Sequence, residues 1–191
     1  MGIDEIIRNR RSVFPAQFSG EKLADKDIMR MLENANWAPT HIHTEPWRFI
    51  VFKDDKIKDL MLFMANLYKN ITPKENYSEA KFEKFANRAQ NVSHIIAIGM
   101  HRHDLPGLPE EEEIAAVAMA VQNLWLTLTD IPEAGGYWSS GALVYTPQFA
   151  EYLGWNSPIR CLGLFYVGIK DANKPHADGH RKPIENKVVW R

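Results

Sequence analysis

The chain has 191 residues, of which 45% are hydrophobic and 25% are charged, a size and composition typical of one globular domain with a sizeable core. The formal net charge of −1 gives no reason to expect nucleic acid or an anionic membrane as a partner. No apolar run approaches the roughly eighteen residues that a membrane-spanning helix needs. Asp4, Glu5 and Arg8 also interrupt the N-terminal segment too early for a signal peptide. We therefore expect a single cytoplasmic domain over residues 1–191.

The first half of the sequence alternates amphipathic helices with apolar strands. Apolar residues recur at helical spacing in four segments, which we predict to be helices: 3–10, 25–37, 55–70 and 78–90. The second of these helices should stop near Trp37, because Pro39 disfavours helical backbone at the residue before it. Two mainly apolar runs, 47–52 and 94–100, predict buried strands, and the polar residues 72–76 predict a loop.

The middle of the second half contains the longest predicted helix. It follows an irregular segment with two prolines at 101–109, and it begins at the acidic run 110–113. Carboxylates in a first helical turn interact favourably with the positive end of the helix dipole. Residues 130–141, which include the run Gly135-Gly136-Tyr137-Trp138-Ser139-Ser140-Gly141, predict a loop.

The C-terminal part adds one short helix and one strand. Thr146 followed by Pro147 is typical of a helix start, and Gly154 of a helix end. The apolar run 159–169 predicts a third strand, and the polar tail beyond it carries an apolar patch at 188–190. Taken together, the segments predict an α+β fold in which one small sheet has helices on both faces.

Cys161 is the single cysteine, so no disulfide can form within the chain, as is usual in a reducing cytoplasm. A catalytic thiolate would need a nearby base, and the apolar neighbours in 161–167 offer none. We therefore predict that Cys161 is a buried structural residue.

One basic motif could bind an anion. In Arg10-Arg11-Ser12, two guanidinium groups and a hydroxyl could hold a phosphate dianion through charge-assisted hydrogen bonds. Taken alone, the motif is also compatible with a solvated helix end, where cations interact favourably with the helix dipole. A second basic motif, Arg181-Lys182-Pro183, would by itself indicate a solvated surface.

Two pairs of histidines have the same spacing. His41 and His43 lie in a polar turn before the first predicted strand, and His101 and His103 follow the second. Alternating residues of an extended chain face the same way, so either pair could give two ligands to a metal. Neither pair has a third ligand at a defined spacing. Hydrogen bonding of these histidines to a small ligand does not require a third ligand residue. We therefore predict no metal site.

The glycine-rich run at 135–141 could contact a flat ligand. It lacks both the Lys-Ser/Thr end of a phosphate-binding P-loop and the G-x-G-x-x-G spacing of a dinucleotide site. Its glycines would let the backbone approach the ligand closely. Trp138 would then stack on the ligand, while Ser139 and Ser140 would donate hydrogen bonds. An ordinary connecting loop is the alternative interpretation.

In this order and spacing, the motifs resemble the short branch of the FMN-dependent nitroreductase family, which lacks the helical insertions of larger members. The family pattern has an N-terminal Arg-Arg-Ser, an Ala-Pro-Ser-x-x-x-x-Gln-Pro-Trp turn, a Gly-rich loop before a Pro-capped helix, and a basic Arg-Lys-Pro close. The corresponding segments here are 10–12, 38–47, 135–147 and 181–183. The resemblance extends over nearly the whole chain, from residue 3 to residue 189.

The resemblance implies a nitroreductase-like layered fold and a homodimer that holds one FMN in each of two clefts at the subunit interface. By position, Arg10, Arg11 and Ser12 should contact the phosphate and the pyrimidine edge of the flavin. Arg181 should help to bind the phosphate. Arginine suits a phosphate dianion, so this implication agrees with the chemistry of the residues.

The resemblance also assigns residues to the flavin ring. His41 and Glu45 match positions that reach the flavin from the partner subunit. Trp138, Ser139 and Ser140 match the loop that lies beside the isoalloxazine.

Three positions depart from the family pattern. Phe14 replaces a basic residue that many members carry two positions after the serine, Glu45 replaces glutamine, and His43 replaces asparagine. A carboxylate near the flavin would disfavour an anionic reduced ring unless it is protonated or paired with His41 or His43. These departures bear on redox potential and on substrate preference.

The resemblance implies an FMN-dependent NAD(P)H oxidoreductase that reduces nitroaromatic, quinone or related acceptors. Hydride would pass from NADH or NADPH to the flavin before the small-molecule acceptor takes its place, a ping-pong cycle that needs no protein nucleophile. His43 is the candidate polar group that faces the acceptor. The alternatives are a flavin-binding protein with little turnover, for storage or sensing, and a histidine-based metal protein.

Overall fold

The structure is a computed structural model that describes residues 2–176 and 178–191. Its α-helices, in chain order, are α1 (Ile3–Asn9), α2 (Asp25–Ala35), α3 (Asp55–Ile71), α4 (Glu79–Ala86), α5 (Glu110–Thr129) and α6 (Pro147–Tyr152). Its strands are β1 (Trp47–Lys53), β2 (His94–His101), β3 (Ala134–Ser139) and β4 (Ile159–Ile169). Within these described residues, no helix is both long enough and apolar enough to cross a bilayer.

The strands form one antiparallel sheet in the order β1-β2-β4-β3. Nearly every residue of the central strands β2 and β4 is buried, because helices cover both faces of the sheet. The third strand lies at one edge, where a bridge between Ser12 and Gly136 brings the N-terminal segment alongside it. This edge therefore brings the Arg10-Arg11-Ser12 motif to the glycine-rich run.

Alternate residues of the central strands pack into two separate cores. Ile95, Leu164 and Tyr166 pack with the apolar side of α3, whereas Ile96 and Phe165 pack with α2 and α5. This arrangement confirms the predicted α+β fold with helices on both faces of a small sheet.

The structure confirms two predictions made from short sequence patterns, the start of α6 at Thr146-Pro147 and the burial of Cys161. The Thr146 Oγ1 accepts a hydrogen bond of 3.3 Å from the backbone N–H of Phe149, so Thr146 is the N-cap, and Pro147 is the first residue of the helix. Cys161 is buried, and burial raises the pKa of its thiol to about 11. A thiol in this state is unreactive, as expected for a structural cysteine.

The predicted loop over 130–141 is wrong, because residues 134–139 form β3. The backbone of β3 pairs with β4 from Ala134 opposite Ile169 to Ser139 opposite Leu164. A side chain at Gly136 would overlap Phe165 and Leu128, so glycine here permits close packing within a strand and does not mark a turn.

Two helices are shorter than predicted. The second helix ends at Ala35 and α4 ends at Ala86, and each is followed by a hydrogen-bonded turn. In the turn after α4, the backbone N–H of Arg88 donates to the carbonyl of Phe85. The early end of α4 thus places Arg88 outside the helix.

Candidate functional site

The N-terminal motif lies between the end of α1 and the edge strand. Arg10 is the C-cap residue after α1, and its backbone N–H donates to the carbonyl of Ile6 at 3.0 Å. Two residues beyond Arg11, the N–H of Val13 donates to the carbonyl of Gly136 at 2.9 Å. These hydrogen bonds fix the backbone of the motif against β3, while its arginine side chains extend toward α5 and the C-terminal segment.

The motif borders a cavity of about 770 Å³ that also receives Arg8 and Arg181. No carboxylate is among the described residues that line it. The guanidinium carbon of Arg10 lies 4.5 Å from the centroid of the Trp125 ring. Burial, reinforced by repulsion from Arg181 and Arg11, lowers the pKa of Arg10. The cavity therefore holds an excess of positive charge that an anion would neutralise.

Arg11 and Arg181 differ from Arg10 in how they are held. The Nη1 of Arg11 donates to the carbonyls of Arg8 and Arg10, at 2.5 Å and 2.7 Å. Its guanidinium lies against the backbone of Gly179, where any side chain would overlap it. Arg181 is exposed and donates to the carbonyl of His180 at 2.7 Å. The structure thus brings Arg10, Arg11 and Arg181 to one cavity from two ends of the chain.

The predicted ring-contacting residues are divided between the two faces of β3. Trp138 packs with the core formed by α2 and α5, whereas Tyr137 packs with the core formed by α3. Ser139 lies on the same face as Tyr137, toward α4, and Ser140 is exposed just beyond the strand. The structure therefore places Ser139 and Trp138 on opposite sides of the strand, an arrangement that the loop prediction did not anticipate.

Arg88 is a candidate site residue that the sequence analysis missed. Its Nη2 donates a hydrogen bond of 3.2 Å to the Oγ of Ser139. Its guanidinium also lies 4.9 Å from the ring centroid of Tyr166 and 5.9 Å from that of Tyr137. The one signal in the sequence was helical spacing, because a helix over 78–90 would place Arg88 on the same side as Lys81 and Lys84.

The histidine-containing turn lies elsewhere in the chain. The residues from His41 to Glu45 are not among the described residues that line the arginine cavity. The Nδ1 of His41 lies 3.0 Å from a carboxylate oxygen of Glu112, near the start of α5. His43 and Glu45 are exposed and have left-handed φ angles of 56° and 43°. The turn thus presents its polar side chains outward, away from the site of its own chain.

One member of the second histidine pair, His103, contacts a buried carboxylate, whereas the Nδ1 of His101 is buried and has no hydrogen-bond partner in the described part of the chain. Glu113 is 1% exposed and accepts hydrogen bonds from Arg102 and from His103 Nδ1, the latter at 2.7 Å. Burial alone would raise the pKa of Glu113, but these hydrogen bonds outweigh it and keep the pKa below its usual value. Among residues 2–176 and 178–191, no three His, Cys, Asp or Glu side chains are arranged to hold a metal ion.

The family model described as the nitroreductase family matches residues 7–169. This chain belongs to the nitroreductase family. The match begins within α1 and ends at the last residue of β4, so it includes the N-terminal motif, the histidine turn and β3.

Individual nitroreductases and related structures agree with this membership. A Bacillus subtilis protein described as "putative NAD(P)H nitroreductase YfhC" is 29% identical over 168 residues, which are 87% of this chain and 84% of that protein. The crystal structure of a nitroreductase-like family protein from Bacillus cereus has a TM-score of 0.82 and 25% identity, covering 100% of this chain and 96% of the other. A variant of the FMN- and NADPH-dependent nitroreductase NfnB from Sphingopyxis has a TM-score of 0.78 with 15% identity, covering 100% and 99%, and shows likeness of fold.

The structure shows what contacts two of the residues that depart from the family pattern, Phe14 and Glu45. The ring of Phe14 packs against that of Tyr137, with centroids 4.6 Å apart. Glu45 extends into solvent, and its backbone carbonyl accepts a hydrogen bond of 2.9 Å from Arg48. Phe14 thus contributes an aromatic surface where many members have a cation, and a different cation, Arg88, interacts with the same tyrosine.

Proposed function

We propose that this nitroreductase is an FMN-dependent NAD(P)H oxidoreductase that reduces nitroaromatic, quinone or related acceptors. The observation that carries the proposal is the cavity beside β3, where Arg10, Arg11 and Arg181 converge without a carboxylate among the described lining residues. FMN as the cofactor and NAD(P)H as the donor are supported by the family and by the stated cofactors of NfnB. In the proposed enzyme, the FMN phosphate occupies this cavity.

The residues of the cavity fit a phosphate monoester. Arg10 and Arg181 provide charge-assisted donors, and Ser12 adds a hydroxyl at the rim. A dianion between Arg10 and Arg181 would relieve the repulsion that lowers the pKa of Arg10. Arg11 is committed to backbone carbonyls, so in this proposal it mainly reinforces the positive potential of the cavity.

The flavin ring would extend from this cavity along β3 toward Arg88. Ser139 and Ser140 would face its polar edge, and the Arg88 guanidinium is a donor suited to a pyrimidine carbonyl. The indole nitrogen of Trp138 is buried and has no hydrogen-bond partner in the described part of the chain. That Trp138 also lies beside the ring remains our prediction.

The site would be completed by a second copy of the chain, with two flavin sites per homodimer. The outward-facing turn with His41 and Glu45 would reach the partner's flavin, and His43 would face the acceptor. Large apolar side chains are exposed in and beside this turn, at Ile42 and Trp37, and elsewhere on the chain, which supports an interface with a second copy. They include Ile3, Ile7, Trp37, Ile42, Met119, Val189 and Trp190.

FMN supplies the two-electron chemistry when it is bound, and the donor and the acceptor would react with it in turn. The protein binds the cofactor, orients its ring and polarises the ring edge. The arginines hold the phosphate, Arg88 and the serines fix the ring edge, and the partner's turn limits what can approach the open face. We also propose that the enzyme is cytoplasmic, since its single cysteine leaves no disulfide within the chain to depend on an oxidising compartment.

The absorbance spectrum of the purified protein, followed by anaerobic addition of NADH and then NADPH, tests the proposal. We expect flavin bands that bleach on addition of a nicotinamide nucleotide and return with a nitroaromatic or quinone acceptor. The released flavin should be FMN. A yellow protein that neither nucleotide bleaches would instead be a flavin-binding protein without turnover. A colourless protein that also fails to bind added FMN would refute the cofactor site.

A further inference from the structure

The basic residues of α4 and the following turn lie on one side. Lys81 and Lys84 are three residues apart on one face of α4, and Arg88, in the turn that follows the helix, lines the same cavity. The acidic residues of α4 point elsewhere. Glu79 accepts a hydrogen bond of 2.8 Å from the hydroxyl of Tyr77, and Glu83 accepts one of 3.1 Å from Asn87. The cationic face therefore carries no compensating carboxylate from its own helix.

This cationic face forms one wall of a cavity of about 760 Å³. Phe14 and Phe85 also line the cavity, and none of its described lining residues is acidic. The volume lies within the usual range for small-molecule sites, which combine apolar walls with a few polar groups. Positive charge on one wall and aromatic rings on the others suit a planar ligand with an anionic substituent.

The two lysines are available to such a ligand. Lys81 Nζ lies 4.8 Å from the ring centroid of Tyr68, and neither Lys81 nor Lys84 has an ion pair among the described residues. A lysine ammonium on a flexible stem can adjust to a carboxylate or sulfonate at different depths. Neither lysine is needed for the proposed contacts with the phosphate or the ring.

Arg88 connects this cavity to the proposed flavin position. It lines the cavity and also hydrogen-bonds Ser139, the residue expected beside the isoalloxazine ring. A second cavity of about 380 Å³ continues past Arg88 and Lys81 to Ser139 and Tyr166. A ligand held by Lys81 and Lys84 would thus have its aromatic ring next to the expected reaction centre.

We propose that the preferred acceptors are planar aromatic molecules that carry an anionic group, which Lys81 and Lys84 bind while Phe14 and Phe85 contact the ring. This inference rests on the proposed function for the identity of the reaction, and on the geometry of the cavity for the identity of the ligand. It names a specificity determinant that lies outside the cofactor-binding residues.

The test compares 4-nitrobenzoate with 4-nitrobenzamide, which have nearly the same shape and differ in charge. Dissociation constants are measured by calorimetry at low ionic strength, without a donor, on purified protein supplemented with FMN. Two ion pairs of surface strength predict about fivefold tighter binding of the benzoate. In the Lys81→Gln/Lys84→Gln double variant this ratio should approach one. Lys26→Gln on α2, on the opposite side of the sheet, should leave it unchanged.

Equal affinities in the wild-type protein, no measurable binding of the benzoate, or a preference that survives in the double variant would each overturn the proposal. If the double variant instead changes the NADPH-to-NADH ratio of KM values and leaves the benzoate preference intact, the lysines bind the donor's phosphate and the proposal is wrong. Failure of the proposed function is detected separately, since it means absence of flavin or no reduction of the neutral benzamide. The calorimetric ratio does not depend on turnover.

Discussion

The guanidinium of Arg88 donates a hydrogen bond of 3.2 Å to the hydroxyl of Ser139, across 51 residues of sequence. This contact joins the turn after α4 to the edge strand β3. It also holds the guanidinium over Tyr166, a fully buried residue whose hydroxyl has no hydrogen-bond partner in the described part of the chain. The hydrogen bond therefore connects the cavity lined by Lys81 and Lys84 to the strand beside which we place the flavin ring.

Replacing Arg88 by methionine should weaken FMN binding while leaving the fold intact. A hydrogen bond from a charged donor contributes about 1.5–3 kcal/mol, so the Kd for FMN should rise about tenfold or more. Because Arg88 and Ser139 contact each other, the effects of Arg88→Met and Ser139→Ala should not add in the double variant. Flavin fluorescence titration measures the Kd for FMN in the two single variants and in the double variant. Arg30→Met, which removes a surface ion pair with Asp130, is the control.

Additive effects in this cycle would show that Arg88 and Ser139 act independently on the cofactor. An Arg88→Met protein with wild-type flavin affinity would remove Arg88 from the site.

A second prediction concerns the proposed binding of the FMN phosphate by Arg10 and Arg181. Arg10→Ala or Arg181→Ala should each raise the Kd for FMN at least about tenfold, because each removes a charge-assisted hydrogen bond to the phosphate. Equilibrium dialysis gives the affinity, and circular dichroism shows whether the fold is retained. Arg160→Ala, which removes a surface pair with Glu110, should leave flavin binding unchanged. Unchanged flavin occupancy in both site variants would contradict the phosphate assignment.

His94 should make the stability of the fold depend on pH. It is buried, with Nδ1 at 2.9 Å from Ser93 Oγ and Nε2 at 3.3 Å from Asp25, which also accepts a hydrogen bond from Lys53. Burial lowers the pKa of His94 below its ordinary value of 6.5, and attraction to Asp25 only partly opposes this, while Lys53 and Lys22 reinforce it. The folded protein therefore favours the neutral imidazole.

The unfolded chain takes up the proton first as the pH falls, because its histidine keeps the ordinary pKa. The contribution of neutral His94 to stability is thus complete above pH 6.5 and is lost as the pH falls toward the folded-state pKa. Urea unfolding between about pH 5 and 7, where imidazole titrates, measures the slope of the free energy of unfolding against pH. His94→Gln should have a shallower slope than wild type, and His176→Gln, an exposed site, should not. Equal slopes in wild type and His94→Gln would assign the pH dependence to other groups.

Local patterns were sufficient for most elements and insufficient for the edge strand. The apolar runs of β2 and β4 and the apolar face of α3 are visible within a short window, because their periodicity follows from burial. The third strand has two glycines near its start, and its ladder with β4 and the packing around Gly136 hold it in place. Those contacts are distant in sequence, so a local pattern could not show them.

The same distinction applies to the site. The Arg10-Arg11-Ser12 motif could be found because its residues are adjacent, and Arg181 because the resemblance named it. The role of Arg88 depends on its meeting with Ser139 in space. Glu113 is one of four neighbouring glutamates, yet it is the buried one, since it lies three and four residues before the buried Ala116 and Val117. The position of Glu113 on the apolar face of the helix could therefore have predicted its burial.

Dimer formation and flavin binding should be coupled if the partner's turn completes the site. Trp37, close to that turn, is 85% exposed, which is unusual for a large aromatic side chain. We expect Trp37→Glu to weaken the dimer and to release flavin over the same range of protein concentration. Analytical ultracentrifugation with detection at both protein and flavin wavelengths follows the two events together.

The matched control is Leu62→Glu, because Leu62 is also exposed, at 54%, but lies on α3, away from the turn. This variant should remain dimeric and retain its flavin. A Trp37→Glu monomer that keeps FMN with wild-type affinity would show that one chain forms the whole cofactor site, since the partner's His41 and Glu45 would then contribute nothing to binding. If both variants dissociate equally, the interface includes α3, and the turn has no special place in it.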